Sequence, residues 1–147
     1  MIGLDTNVLV RALTNDDPAQ SPVAREFMLT LSPDQPGFIS TTALIETWWV
    51  LRNAEPYRYS REQVVAVVAA LLDNHAIVVQ DSDTVRAALG VTTRVGRDLP
   101  DTLIATADHE AGCANTVTFD RRAWAIPGMV PLTGAQVSTD DEANPPT

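Results

Sequence analysis

The 147-residue chain has no lysine; all ten of its basic residues are arginine. That absence removes several chemistries together: a phosphate-gripping P-loop lysine, a Schiff base, and an ammonium group facing a transferring phosphoryl group. A single cysteine, Cys113, excludes an internal disulfide and a thiolate zinc site. Imidazole is scarce too. Of the two histidines, His75 follows a helical pattern and His109 sits within Ala107-Asp108-His109-Glu110. Neither stands in a nucleophile motif, so both read as structural or exposed. No apolar run is long enough to cross a bilayer, so no membrane partner is expected. Asp5 falls where a signal peptide would carry its hydrophobic stretch. The expected compartment is a reducing cytoplasm.

What is present is ordinary for a globular domain: 45% apolar and 20% charged residues. The net charge is −9, and Asp140, Asp141 and Glu142 contribute three of those charges. The reading is one folded domain over 1–137 and a disordered acidic tail over 138–147. Such a charge argues against broad nonspecific nucleic-acid binding, although a local patch can still bind RNA.

Short β-rich runs alternate with helical patterns. Strands are expected at Met1–Leu4, Gly37–Ile39, Ala76–Val79, Thr116–Phe119 and Met129–Leu132. Helices are expected at Thr6–Leu13, Pro22–Leu31, Thr41–Arg52, Arg61–Asn74, Ser82–Val95 and Pro100–Ala111. Ser60 with Gln63 suits a capping box, and Pro100 suits a first helical position. Val64, Val65, Val67, Val68, Leu71 and Leu72 form a core-facing stripe. Trp48 and Trp49, with Leu44, Ile45 and Leu51, read as a second buried stripe. This alternation predicts an α/β fold, a central mainly parallel sheet flanked by helices. Its site should lie beyond the carboxyl ends of the strands.

Four acids stand where that architecture makes them informative. Asp5, in LDTNVLVR, ends the first strand; Asp120, in TVTFD, ends a later one. Glu46 interrupts the apolar helix ALIETWWVL, where a buried carboxylate would cost several kcal/mol unless compensated. Asp101 opens a helix in DLPDTLIA, and Ala105 one turn on permits close packing. Each has a bland explanation as a cap, a turn residue or an arginine partner. Asp98, one turn before Asp101, reads as a helix cap or as a support for the site. Together the four suggest one negative pocket. Two carboxylates about 5 Å apart repel by roughly 3 kcal/mol at an effective dielectric near 20. Without lysine, a hard divalent cation is the simplest compensation, and oxygen-only ligands favour Mg2+ or Mn2+. Such a cluster suits phosphodiester hydrolysis and needs no histidine base. Thr6 and Asn7 would hold the Asp5 loop or contact phosphate, and Thr118 would orient Asp120. Arg94, Arg97, Arg121 and Arg122 flank the site, either as phosphate grips or as surface solubilisers.

LDTNVLVR, ALIETWWVL, DLPDTLIA and TVTFDRR, in this order and spacing, resemble the PIN-domain family of metal-dependent ribonucleases. Within it they resemble the small bacterial toxins of the VapC type. The resemblance covers nearly the whole chain apart from the tail. It implies a PIN-like three-layer fold in which Asp5, Glu46, Asp101 and Asp120 bind Mg2+ or Mn2+ and cut RNA. It also implies a homodimer and a cognate antitoxin whose C-terminal segment covers the site. Thr102 stands where the family usually has alanine, a departure that leaves Asp101 intact.

Two other classes compete. An aspartyl-phosphate enzyme fits poorly: a haloacid-dehalogenase-like phosphatase needs a second Asp where Asn7 stands, and both it and a receiver domain call for a lysine. A non-catalytic PIN-fold module that binds RNA or a protein would not need all four acids.

Overall fold

The computed structural model describes residues 1–134. The tail expected at 138–147 therefore lies outside the described residues, as do 135–137 of the expected domain. Chain order is β1 (Ile2–Gly3), α1 (Thr6–Thr14), α2 (Gln20–Thr30), β2 (Gly37–Ile39), α3 (Thr41–Asn53) and α4 (Arg61–Asp73). It continues with β3 (Ile77–Val79), α5 (Ser82–Val95), α6 (Leu99–Glu110), β4 (Thr116–Thr118), a 3-10 turn (Arg121–Ala125) and β5 (Met129–Pro131). All the strand pairings are parallel, and helices flank the strands as expected.

The strands do not pair as one continuous ladder. β1, β2 and β3 form one sheet in that order, while β4 pairs only with β5. Asp5 and Asp120 thus follow strands of two different ladders, where a shared sheet edge was expected. Period-2 patterning identifies strands but says nothing of which neighbours they bond.

Local chemistry explains most helix ends. The Ser60 hydroxyl accepts from Gln63 N at 3.1 Å while Gln63 Oε1 accepts from Ser60 N at 2.8 Å, completing the capping box of α4. Ser40 caps α3 by accepting from Ala43 N at 3.1 Å. Gly96 closes α5 with φ +67°, a conformation that suits glycine. α6 begins at Leu99, one residue before the expected start, so Pro100 is its second residue. Its missing N–H is still no loss there, because first-turn donors lack helical partners.

The main core gathers Leu4, Leu9, Ile39, Leu44, Trp48, Leu51, Val64, Val85 and Leu99. The α4 stripe faces it through Val64, Val68 and Leu71, with Val65, Val67 and Leu72 only partly covered. Gly37 sits where three side chains crowd the strand. A Cβ there would meet the Leu31 and Leu4 Cδ1 atoms at 2.8 Å. The two tryptophans part company: Trp48 is 1% exposed and Trp49 is 59% exposed. The buried positions of α3 are Ala43, Leu44, Thr47, Trp48 and Leu51, and at about 100° per residue Trp49 falls on the opposite side of the helix.

Candidate functional site

β1 delivers the chain to Leu4, whose N–H donates to Phe38 O at 2.8 Å and whose side chain is buried. The next residue leaves the sheet. Asp5 takes the N-cap position of α1, with φ −77° and ψ 155°, and its carbonyl accepts from Leu9 N at 3.1 Å. Among the described residues its carboxylate makes no capping hydrogen bond and no ion pair, so the bland explanation as a side-chain cap is not met. It is exposed to a cleft of about 500 Å³ that Thr6, Asn7, Glu46 and Trp49 also line.

Glu46 reaches that cleft from α3. It is exposed, so the burial cost expected from its apolar neighbours does not arise. One hydrogen bond positions it: the buried Thr6 hydroxyl donates to Glu46 Oε2 at 2.7 Å. Thr6 was expected to hold the Asp5 loop or to touch phosphate; its hydroxyl ties the start of α1, next to Asp5, to α3 through a site carboxylate. Among the described residues no arginine pairs with Glu46.

The second pair of acids lies at the start of α6 and after β4. Asp101, half-buried in the first turn of α6, has its pKa raised, chiefly by burial and then by the negative charges of Asp120 and Asp98, with Arg122 opposing. Asp120 has its pKa lowered. Its carboxylate accepts from Arg122 N at 2.9 Å, and the guanidinium groups of Arg122 and Arg97 add to this. Of the two, Asp101 therefore keeps a proton to higher pH. Thr118 braces the loop, its hydroxyl accepting from Asp120 N at 3.0 Å. Asp98 occupies the N-cap position of α6 without capping through its side chain. Its carboxylate accepts from Arg61 Nε at 2.9 Å and from Arg52 Nη2 at 3.3 Å, joining α6 to α3 and α4.

The structure thus brings Asp5 to Glu46 and Asp101 to Asp120. Among the described residues, no group of three or more Asp, Glu, His or Cys side chains stands close enough to hold a metal ion outright. The donor chemistry still fits a hard cation. All four groups are carboxylates, and Asp5 and Asp101 have neither a hydrogen bond nor an ion pair to satisfy them. Of the arginines expected near the site, Arg122 is paired with Asp120, and Arg121 lies over the Trp124 ring at 5.8 Å. Arg97 keeps a buried Nε without a partner, and Arg94 is exposed. Another cavity, about 440 Å³, opens by His109, Cys113 and Asn115 and contains none of the four acids.

Fold and site together define a parallel α/β protein with carboxylates just beyond two strand ends, in the first turn of α6 and midway along α3. A family model for the PIN domain matches residues 2–128, and the chain belongs to that family. PIN domains are generally nucleases that use divalent metal ions, so the protein carries a nuclease-type module. A search of curated proteins finds none that matches this chain. No helix among the described residues is long and apolar enough to cross a membrane.

Proposed function

We propose that the protein is a Mg2+- or Mn2+-dependent endoribonuclease that hydrolyses RNA phosphodiester bonds. The Asp5–Glu46 cleft carries this reading: two carboxylates share it, no basic side chain lines it, and a buried threonine fixes one of them. Asp5, Glu46, Asp101 and Asp120 would hold the cation. The bound ion would supply activated water and neutralise charge on the leaving oxygen. The chain's own groups orient the parts. Thr6 fixes Glu46, Asn7 presents its amide to the cleft, Thr118 braces the Asp120 loop, and Asp98 anchors the start of α6.

Purified protein with Mn2+ should cut single-stranded RNA, and chelation should stop it. Asp5→Asn should lower the rate at least about a hundredfold while the fold survives, because the wild-type carboxylate supports no intramolecular contact. A variant that cuts at the wild-type rate would sink the reading. RNA binding without turnover in any metal would favour the non-catalytic module.

The finer reading is the toxin of a type II toxin–antitoxin pair, inhibited by a cognate antitoxin and acting in the cytoplasm as a homodimer. It rests on the four acidic motifs in order and on apolar surface left open between α2 and α4, where Leu29 is 86% exposed. Expression of the wild type should arrest bacterial growth, and Asp5→Asn should not. Sedimentation at micromolar concentration should give a dimer; a monomer would remove that element.

A further inference from the structure

Eight aromatic residues serve the whole chain, and three of them face solvent: Trp49 at 59%, Phe119 at 81% and Trp124 at 44%. All three lie within four residues of a candidate acid. Trp49 follows Glu46 by three positions on α3, Phe119 precedes Asp120, and Trp124 belongs to the 3-10 turn that Asp120 caps. The rest of the aromatic inventory is buried or partly covered. Exposed aromatics thus collect where the acids are.

Trp49 is the most available of the three tryptophans. Trp48 is core, and one face of Trp124 is covered by the Arg121 guanidinium at 5.8 Å. The Trp49 indole meets no other ring and no cation among the described residues. It lines the same cleft as Asp5 and Glu46, because positions three apart on a helix are neighbours on one face. An open indole beside a candidate phosphate-cutting site has the geometry of a stacking platform.

The charge of the molecule says why such a platform is needed. Proteins commonly hold nucleic acid by neutralising phosphates with lysine and arginine and releasing counterions. This chain has no lysine, a net charge of −9, and several of its site-side arginines committed to Asp120, Asp98 or Trp124. Stacking of a base on an aromatic face does not depend on net charge and tolerates any base. It requires a base free of its duplex neighbours, as in single-stranded RNA.

We propose that Trp49 stacks a nucleobase of single-stranded RNA next to the scissile phosphate and supplies a main share of substrate affinity. The proposal rests on the nuclease reading above. It names the residue that binds, where that reading names the residues that cut.

Steady-state cleavage of a short single-stranded RNA in Mn2+ tests it, with wild type, Trp49→Ala, Trp49→Phe and Val23→Ala compared. Loss of one stacked base corresponds to about a tenfold rise in KM. Trp49→Ala should show that rise with kcat kept within about twofold, the signature of lost uniform binding. Trp49→Phe should recover most of the affinity. Val23→Ala, which trims an exposed apolar side chain on α2 that lines neither the cleft nor the open surface between α2 and α4, should match the wild type. Affinity should also fall only shallowly with salt. Wild-type cleavage with an unchanged KM in Trp49→Ala overturns the proposal and leaves the nuclease reading standing. A wild type that does not cut overturns both. A Trp49→Ala variant that cuts normally but loses self-association or antitoxin binding makes this ring a protein contact, and that also overturns the proposal.

Discussion

Asp5 and Asp98 occupy the same position of their helices and use it differently. Both are N-cap residues with extended backbone, and neither accepts a capping hydrogen bond through its side chain. Asp98 answers to Arg52 and Arg61, so its charge is spent on joining three helices. Asp5 has no such partner and is left open to the cleft. Asp101 carries the electrostatic consequence of the clustering. Its native pKa is raised by burial and by Asp120 and Asp98. A carboxyl group with a raised native pKa contributes stability below its unfolded pKa and loses it as pH rises through the native value. At neutral pH the ionised group is therefore a net burden on the metal-free fold. Asp101→Asn should melt at the same temperature as the wild type or higher at pH 7, with the gap closing towards pH 4. Asp98→Asn should instead lose up to about 1 kcal/mol, since its partners are only half-buried. Melting curves of the two variants across this pH range check both signs.

Among the elements, what the sequence made legible followed from local rules. Ser60 with Gln63 and the Gly37–Ile39 strand came out where expected, because capping chemistry and β-rich runs act over a few residues. The four acidic motifs stand out in the sequence, because each stands at an element end or in an apolar helix, but the structure brings them together only as two pairs. Long-range facts were not legible. The split into two ladders, the 3-10 turn after Asp120, and the Thr6–Glu46 hydrogen bond across 40 positions need partners that no local pattern names. Trp49 was a different kind of miss: a face centred on Leu44, Trp48 and Leu51 already leaves Trp49 on the far side of α3. A further long-range contact holds the end of α1 to the loop after α3. Asp16 accepts from the hydroxyls of Tyr57 and Thr14 and from Arg11 Nη1, and these hold its pKa down to about 2, the Tyr57 bond most strongly. Its sign is opposite to that of Asp101. Stability from Asp16 is present above the unfolded pKa near 3.8 and is lost as pH falls through about 2. Asp16→Asn should flatten the loss of melting temperature between pH 4 and pH 2, and an unchanged acid slope would show that the clasp contributes nothing.

At the scale of the whole molecule, the acids belong to two constructions. Asp5 and Glu46 are set by the three-stranded ladder and α3, while Asp101 and Asp120 are set by α6 and the β4–β5 ladder. The nuclease site proposed above needs the two pairs to act together around a divalent cation. A cation shared between them would stabilise the native state alone. The most direct measurement is calorimetric titration of Mn2+ into wild type, Asp5→Asn and Asp101→Asn, one variant from each pair. Each substitution should weaken Mn2+ binding by about tenfold or more. Wild-type affinity in either variant would contradict it, because a pair that can lose a carboxylate without effect is not part of the metal site.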